Sequence, residues 1–363
     1  MSCARWSRTR ESDLRAIRIE RVPSLDALRD DWVRIAPETG NVFSSWEWHS
    51  TWWRHFGQGR TLLLSACRRG DGRLVAVLPL YFWARRPFRV ARFLGHGPAD
   101  QLGPVCAPAD CHHAAAALVR ACEDARLDLL LADLLPGGEG WESALGATLL
   151  RRESSPTLAL EGGWDAYLAG RSANFRQQVR RRERRLARDH RLRFRLATDA
   201  ATLQDDLSRL FALHLARWGE ASPFLRWEAF HRAFAAAALE RGWLRLWFLE
   251  LDGRPAAAWY GFRFGNVESY YQAGRDPGRS DDSVGFVLLA HSIREAAVDG
   301  MREYRFLRGA EPFKLRFADR DPGLETVALA RGLAGRVARV AAGAGVRSGA
   351  IRSVLRRLGR SVT

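Results

Sequence analysis

The fold is decided by two stretches, TLLLSACRRGDGRLVAVLPLYFW (61–83) and LRLWFLELDGRPAAAWYGFRFG (244–265). Each contains two apolar runs of strand length that flank an Asp-Gly pair, at Asp71-Gly72 and at Asp252-Gly253. Apolar runs joined by Asp-Gly predict a β-hairpin. The same hairpin is therefore expected once in each half of the chain.

The order of elements after each hairpin also repeats. FLGHGPADQLGPV predicts a strand and a loop, HHAAAALVRACEDA a helix, and LDLLLADLL a strand, and these stretches span residues 93–135. After the second hairpin, ESYYQAGRDPGRSDDSVG, FVLLAHSIREAAVDG and REYRFLRG follow the same order up to residue 309. Unrelated α/β domains can share such an order, but the repetition favours duplication. The expected fold class is α/β (α+β), with two tandem domains, each a mixed sheet flanked by helices.

The stretch between the halves, residues 171–195, contains eleven arginines. Phe175, Val179 and Leu186 fall on one face of a 3.6-residue helix, which predicts an amphipathic connecting helix with a cationic back. A second helix follows, with an apolar face that includes His214 and Trp218. A histidine on such a face is more often part of the core, but His214 remains a candidate substrate-binding residue.

Composition predicts a folded, cytoplasmic protein. Of 363 residues, 47% are hydrophobic and 27% are charged, which argues against a chain that is disordered as a whole. No apolar run approaches the about 18 residues that a bilayer span requires, and the stretch MSCARWSRTRESD lacks the apolar run typical of a signal peptide. The five cysteines form no C-x-x-C pair, so free thiols are expected. Cys106, Cys111, His112 and His113 match no usual set of metal ligands, and no metal is expected.

Basic residues outnumber acidic ones by 57 to 41, a formal charge of +16, and Lys314 is the only lysine. Much of this charge can reflect a general preference for arginine. Arginine binds anions at least as well as lysine, so a position that keeps lysine indicates a need for a compact ammonium or for one that can lose its proton. Lys314 is therefore a candidate functional residue.

The segment 321–363 has eight arginines against Asp321 and Glu325. Two apolar stripes at helical spacing run along it, made of Leu329, Leu333, Val337 and Val340, then Ile351, Val354, Leu355 and Leu358. The pattern suits a helix on an anionic membrane surface. Packing onto the body of the protein is the favoured alternative.

Several catalytic motifs are absent from the sequence. It contains no G-x-S-x-G, H-E-x-x-H, Walker or G-x-G-x-x-G motif, which removes the main support for hydrolase, zincin, P-loop and dinucleotide functions. The pair His112-His113 lacks the aspartate of an H-H-x-x-x-D acyltransferase motif, because that position is Ala117.

A phosphate cradle is expected after the strand that ends in YYQAG. The loop RDPGRSDDSVG then leads into a helix, with Ser283 as N-cap and Gly285 leaving backbone N–H groups accessible. Helix N-termini attract anions, and Arg275 and Arg279 add positive charge. An ordinary capped helix would have the same sequence features.

The segment REYRFLRGAEPFKLRF (302–317) resembles the ending D-F-L-R-G-D-E-P-Y-K of the CelD/BcsL-type acetyltransferases linked to cellulose biosynthesis. This family is a branch of the GNAT superfamily related to the FemAB peptidyltransferases. Other pieces resemble the family in the same order over about residues 30–320, including FSSWEWHSTWWRHFG, NFRQQVRRRERRL and LHLARW. Two positions depart from the pattern: Arg305 stands where the family has an acidic residue, and Phe313 replaces a tyrosine.

The resemblance implies two tandem GNAT-like domains, with an acceptor-side domain at 16–160 and an acyl-CoA-side domain at 161–320. A disordered N-terminus (1–15) and a basic helical tail (321–363) would flank them. Coenzyme A would lie between two splayed strands, at about 266–274 and 302–308.

The resemblance also implies roles for individual residues. Lys314 would stabilise an oxyanion, Asp100 would be the base by resemblance only, and Glu311 is a second candidate. The expected residues for binding acetyl-CoA or another acyl-CoA are Gln272, Gly274, Arg275, Ser283, Gly285 and Arg308. Those for substrate are Trp46, Trp48, Arg176, Arg180 and His214.

The alternatives for these substrate residues are structural. The aromatic residues around Trp46 and Trp48 could stack on sugar rings, but their helical spacing is more typical of core. Arg176 and Arg180 could clamp phosphates or form a solvated cationic face.

The expected function is acyl-CoA-dependent N- or O-acyl transfer to a saccharide, a cell-envelope precursor or a small molecule, as in polysaccharide biosynthesis. No specific nucleic-acid partner is expected, and membrane contact would occur through the basic tail. One alternative is a FemAB-like peptidyltransferase that uses aminoacyl-tRNA. Another is a non-enzymatic basic module that binds nucleic acid or anionic membrane.

Overall fold

The computed structural model describes residues 17–348 and divides them into two compact units, 17–154 with 322–348, and 155–321. The first unit contains an eight-stranded sheet and the second a six-stranded sheet, with helices in both. The expected α/β class with two sheet-containing units is confirmed.

Elements are numbered in chain order. The strands of the first unit are β1 (Ile17–Arg21), β2 (Thr61–Arg69), β3 (Leu74–Ala84), β4 (Val90–Phe93), β5 (Val105–Cys106), β6 (Leu129–Pro136), β7 (Thr148–Glu153) and β14 (Leu324–Ala330). Its helices are α1 (Arg29–Ile35), α2 (Trp46–Phe56), α3 (Cys111–Asp124), α4 (Trp141–Leu145) and α11 (Gly332–Ser348). The sheet order is β1-β2-β3-β4-β6-β14-β7, and β5 pairs with β3.

The second unit has the sheet order β8-β13-β12-β11-β10-β9. Its strands are β8 (Thr157–Ala159), β9 (Leu192–Leu196), β10 (Leu244–Leu251), β11 (Arg254–Phe264), β12 (Val267–Arg275) and β13 (Glu303–Arg305). Its helices are α5 (Gly163–Ala169), α6 (Ala173–Asp189), α7 (Leu203–Trp218), α8 (Glu228–Glu240), α9 (Val284–Val298) and α10 (Pro312–Phe317).

Both predicted hairpins are present, as β2–β3 and β10–β11. In the second, Asp252 and Gly253 both have positive φ, 55° and 82°, as a type I′ turn requires. Each unit then contains one parallel pair with a helix between its strands: β4 pairs with β6, and β12 with β13, over three residue pairs each. The two units therefore share the order of elements expected from the sequence.

The boundaries of the units differ from those expected. The second unit begins at residue 155, because β8 pairs with β13. The segment expected as a helical tail from 321 begins instead with β14, between β6 and β7. The run LETVALA is buried along nearly its whole length, as in a strand covered on both faces. Of the first expected helix stripe, Leu329 lies in β14, whereas Leu333, Val337 and Val340 lie in α11. The expectations for 1–15 and for Ile351 to Leu358 lie outside the described residues.

The two amphipathic helices of the second unit form as predicted. Helix α6 buries Phe175, Val179 and Leu186. Helix α7 buries most of its apolar face, including His214, while Trp218 remains 48% exposed. Across residues 17–348, none of the helices is both long and apolar enough to cross a membrane.

A neutral histidine lies in the core of the second unit. His231, on α8, is fully buried against the rings of Phe224, Tyr260 and Tyr271. Among residues 17–348, neither of its ring nitrogens has a hydrogen-bond partner. Burial lowers the pKa of His231 from 6.5 to about 3. His231 is therefore neutral in the folded protein at neutral pH.

Replacing His231 should reduce the sensitivity of the fold to acid. Below pH 6.5 the unfolded chain binds a proton at His231, whereas the folded chain does not until about pH 3. Stability is therefore lost as pH falls through this window, by up to about 1.4 kcal/mol per pH unit for this group. In His231→Phe, urea unfolding between pH 7 and pH 5 should show a shallower decline. The exposed residue His112 provides the control: His112→Phe should keep the wild-type slope, and equal slopes in all three proteins would contradict the prediction.

Candidate functional site

The parallel pairing of β12 with β13 is short. It joins Val267–Ser269 to Glu303–Arg305, after which β13 ends while β12 continues to Arg275 alongside β11. Tyr260 pairs with Gln272 but Gly261 pairs with Tyr270, so Tyr271 is an extra residue in β12. Such a bulge bends the strand that contains it. Beyond Ser269, β12 no longer pairs with β13.

A cavity of about 260 Å³ lies beside this end of β12. It is lined by Arg182, Arg217, Ala257, Ala258, Trp259, Tyr270, Ala273, Gly274, Arg275, Ser283, Gly285, Phe286, Leu288, Leu289 and Phe313. Most of these side chains are apolar or small, and three are arginines. A cavity of this composition suits a ligand that has both an apolar part and an anionic part.

Helix α9 begins at the cavity. Ser283 occupies the N-cap position, as expected, and its carbonyl accepts hydrogen bonds from the N–H groups of Phe286 and Val287. Its φ of 56° is left-handed, and its side chain makes no capping hydrogen bond. The N–H groups of a first helical turn point out of the helix end, where the dipole favours anions.

The two glycines expected to bind cofactor differ in what surrounds them. A Cβ on Gly274 would lie 2.3 Å from the backbone N of His214, because α7 packs directly on β12 at this point. A Cβ on Gly285 would meet only the Cδ of Arg275, at 3.7 Å. Gly274 is therefore required for packing, whereas a side chain at Gly285 would reduce the cavity.

Tyr270 is a tyrosine among the residues that line the cavity. Burial raises the pKa of Tyr270 to about 12, although the Arg217 guanidinium opposes the shift. The phenol is thus protonated at neutral pH and can donate a hydrogen bond. Sequence analysis missed Tyr270 and Arg217, although the alternation of residues along YYQAG could have indicated Tyr270. Gln272, which was expected here, lies on the same strand but is not among the lining residues.

Lys314 lies in α10 and its side chain is only 6% exposed. Its Nζ donates to the carbonyl of Arg308, at 2.6 Å, and lies 3.0 Å from Oε2 of Glu311. The carbonyl of Arg308 accepts one N–H of the ammonium, and the contact with Glu311 is an ion pair. Phe313, its neighbour, lines the cavity, whereas Lys314 does not. The side chain of Arg308 is exposed.

His214 has the structural role that its apolar helix face favoured, and not the candidate role in substrate binding. It is 2% exposed; its Nδ1 donates to the carbonyl of Ala273, at 3.1 Å, and its Nε2 accepts from Ser222 Oγ, at 2.7 Å. Desolvation lowers its pKa to about 4. Both nitrogens are used within the protein, so His214 joins α7 to β12 and is not available to bind substrate.

The arginines expected to clamp phosphates lie elsewhere on α6. Arg176 donates to the carbonyl of Ala169, at 3.3 Å, and Arg180 is exposed. Neither lines the cavity, but Arg182 does, with its guanidinium 4.5 Å from the ring centre of Phe286. Arginines occupy so many positions of this helix that the sequence did not indicate which one faces the cavity.

Three expected site residues belong to the first unit. Trp48 is fully buried, so the expectation that it stacks on sugar is wrong; helical spacing places it on the core face of α2. Trp46 is partly buried, with its Nε1 donating to the carbonyl of Leu25 and Arg29 over its ring. Asp100 is half-buried in the loop between β4 and β5.

The cysteines and histidines near residue 110 do not form a recognisable metal site. The sulfur atoms of Cys106 and Cys111 lie 3.9 Å apart, and Nε2 of His112 lies 3.1 Å from Nε2 of His113. In the part of the chain that the structure describes, no group of three or more His, Cys, Asp or Glu side chains is arranged to hold a metal ion.

Residues 173–315 match the family model described as Acetyltransferase (GNAT) domain. The match falls within the second unit and includes the whole of β12, α9 and β13. The second unit therefore contains a domain of the GNAT acetyltransferase type. No curated protein matches the chain in sequence.

Solved structures similar to the chain share its fold at low sequence identity. A structure of FemX is 13% identical with a TM-score of 0.61, and the match covers 85% of this chain and 96% of that one. The structure of L-PGS from Bacillus licheniformis is 12% identical with a TM-score of 0.53, covering 89% and 96%. A conserved protein of unknown function from Bacteroides thetaiotaomicron is 14% identical with a TM-score of 0.53, covering 87% and 100%. At these identities the likeness shows the fold alone.

The change Gly274→Ala should destabilise the second unit by about 1–3 kcal/mol, because the new methyl group overlaps the backbone of α7. Thermal or urea unfolding measures the effect. Gly285→Ala is the matched control and should unfold at the wild-type temperature or slightly above, since alanine favours a helix. Similar losses in both variants would contradict the packing role assigned to Gly274.

Proposed function

We propose that the chain is an acyltransferase that binds an acyl-CoA donor in the cavity beside β12 and α9. The observation that carries the proposal is the position of this cavity, at the end of the β12–β13 pairing and at the start of α9, within the segment that matches the GNAT model. The apolar lining suits the acyl and pantetheine parts of the donor. The start of α9, with Arg182 and Arg275, suits its phosphates.

The proposed reaction is direct transfer. The lone pair of an amine or hydroxyl attacks the thioester carbonyl carbon, the carbon–sulfur bond breaks, and the thiol leaves with a proton. The protein must hold the reactants together and stabilise the negative charge on the carbonyl oxygen. Tyr270 lines the cavity with a phenol that can donate a hydrogen bond, and Lys314 supplies the ammonium proposed to stabilise the oxyanion. Asp100 as base, by resemblance only, and Glu311 as the second candidate remain part of the proposal.

The proposed acceptor is defined only by class: it is an amine or hydroxyl of a saccharide, a cell-envelope precursor or a small molecule. The resemblance of REYRFLRGAEPFKLRF to the CelD/BcsL ending supports a role in polysaccharide biosynthesis. A cytoplasmic location remains a prediction from composition. A FemAB-like use of aminoacyl-tRNA is the second candidate, because α6 carries a run of arginines.

Donor binding should depend on residues of the cavity. A ligand that binds only the folded state raises the melting temperature, so acetyl-CoA, longer acyl-CoAs and free CoA are titrated against nuclease-treated protein. Gly285→Ala and Arg182→Ala should each weaken binding about tenfold. Arg182→Ala removes roughly one charge-assisted contact, and Gly285→Ala reduces the space in the cavity. Arg180→Ala is the matched control, an exposed arginine one half-turn away on α6, and should bind like wild type.

The same titration tests the alternatives. If no CoA compound stabilises the protein at concentrations that stabilise a control acyltransferase, the acyl-CoA proposal fails. Copurified RNA, and turnover lost after ribonuclease treatment, would instead support aminoacyl-tRNA as donor. Equal weakening by Arg180→Ala and Arg182→Ala would indicate general charge attraction and not this cavity.

Replacing Lys314 should mainly affect the chemical step. In Lys314→Met the stem is retained and the ammonium is lost, so kcat should fall about a hundredfold or more, as for loss of an oxyanion donor, with a smaller change in KM. Glu311→Gln, which removes the charge of the ion-pair partner, is the comparison. If Lys314→Met lowers only the melting temperature and leaves kcat unchanged, Lys314 merely anchors the turn at Arg308.

A further inference from the structure

Helix α11 packs on the sheet of the first unit with its small residues. Ala338 and Ala342 are 6% and 7% exposed and contact a cluster that includes Leu129 and Ala328. A Cβ on Gly335 would lie 2.2 Å from the carbonyl oxygen of Asp128, so only glycine permits this approach. Between Gly335 and Ala342 the helix is therefore held close to the sheet by a face of small residues.

Three large apolar residues in the part of α11 from Gly332 to Ala342 point away from the sheet. Leu333 is 77% exposed, Val337 53% and Val340 68%, and the spacing of four and three residues places them on one face. An amphipathic helix of a globular protein normally buries such residues and exposes its polar ones. The face formed by Leu333, Val337 and Val340, here called the outer stripe, is thus an apolar surface left exposed in the part of the chain that the structure describes.

The charge around the outer stripe favours one kind of partner. Residues 331–363 contain eight arginines and no acidic residue, and Arg336 is an exposed neighbour of the stripe on α11. A second copy of α11, or the segment 349–363, would bring arginines against arginines, which is unfavourable. A bilayer surface with anionic headgroups offers both an apolar layer for the stripe and negative charge for the arginines.

We propose that the outer stripe of α11 docks on an anionic lipid surface, with Leu333, Val337 and Val340 entering the boundary between headgroups and acyl chains. The flanking arginines contact the headgroups. This surface belongs to the first unit and is independent of the cavity in the second unit.

The test is flotation of the full chain with vesicles. Wild type should bind vesicles of equimolar phosphatidylcholine and phosphatidylglycerol, should bind phosphatidylcholine alone weakly, and should dissociate as salt rises. Val337→Asp places a charge in the stripe and should reduce binding about tenfold or more. Val298→Asp is the matched control, the same change at a valine 72% exposed at the end of α9, and should bind like wild type. The melting temperatures of both variants are measured to confirm folding.

Three results would overturn the proposal. Wild type that fails to float with the anionic vesicles excludes lipid docking. Equal binding by Val337→Asp and Val298→Asp would assign any attraction to arginines elsewhere, such as those of α6. A dimer in sedimentation that Val337→Asp converts to monomer, without vesicle binding, would assign the outer stripe to a second copy of the chain.

Discussion

The candidate site depends on the early end of one parallel pairing. β12 and β13 share only three residue pairs, and the bulge at Tyr271 redirects β12 just after them. Gly261 makes the bulge possible, because a Cβ there would lie 2.1 Å from the carbonyl oxygen of Ser269. Continued pairing would place a strand where the cavity now lies.

Buried polar contacts keep this region in place. His214 joins α7 to β12 through the carbonyl of Ala273, and the absence of a side chain at Gly274 lets α7 approach closely enough to do so. Lys314 holds the turn at Arg308 against α10 in a similar way. Because burial keeps His214 neutral, its contacts do not change across the physiological pH range.

Local patterns in the sequence predicted much of the fold. The Asp-Gly turns predicted both hairpins, and the spacing of Phe175, Val179 and Leu186 predicted the buried face of α6. The position of β14 was not predictable in this way, because a strand between β6 and β7 is specified by partners about 190 residues distant. The same limit applied to the site: periodicity places a residue on a face but does not show what covers that face. Trp48 and His214 were therefore kept as candidate ligand-binding residues although core positions were favoured for both, and Arg182 and Tyr270 were missed.

The first unit is completed by a segment that follows the second unit in the chain, which has a consequence for biosynthesis. β14 lies between β6 and β7, and β7 pairs with no other strand in the described sheet, yet the whole second unit is translated before β14. On the ribosome, the second unit can fold while the facing edges of β6 and β7 are still unpaired. Unpaired strand edges can form hydrogen bonds with strands of other chains. The nascent first unit is therefore exposed to aggregation for the entire time needed to synthesise residues 155–330.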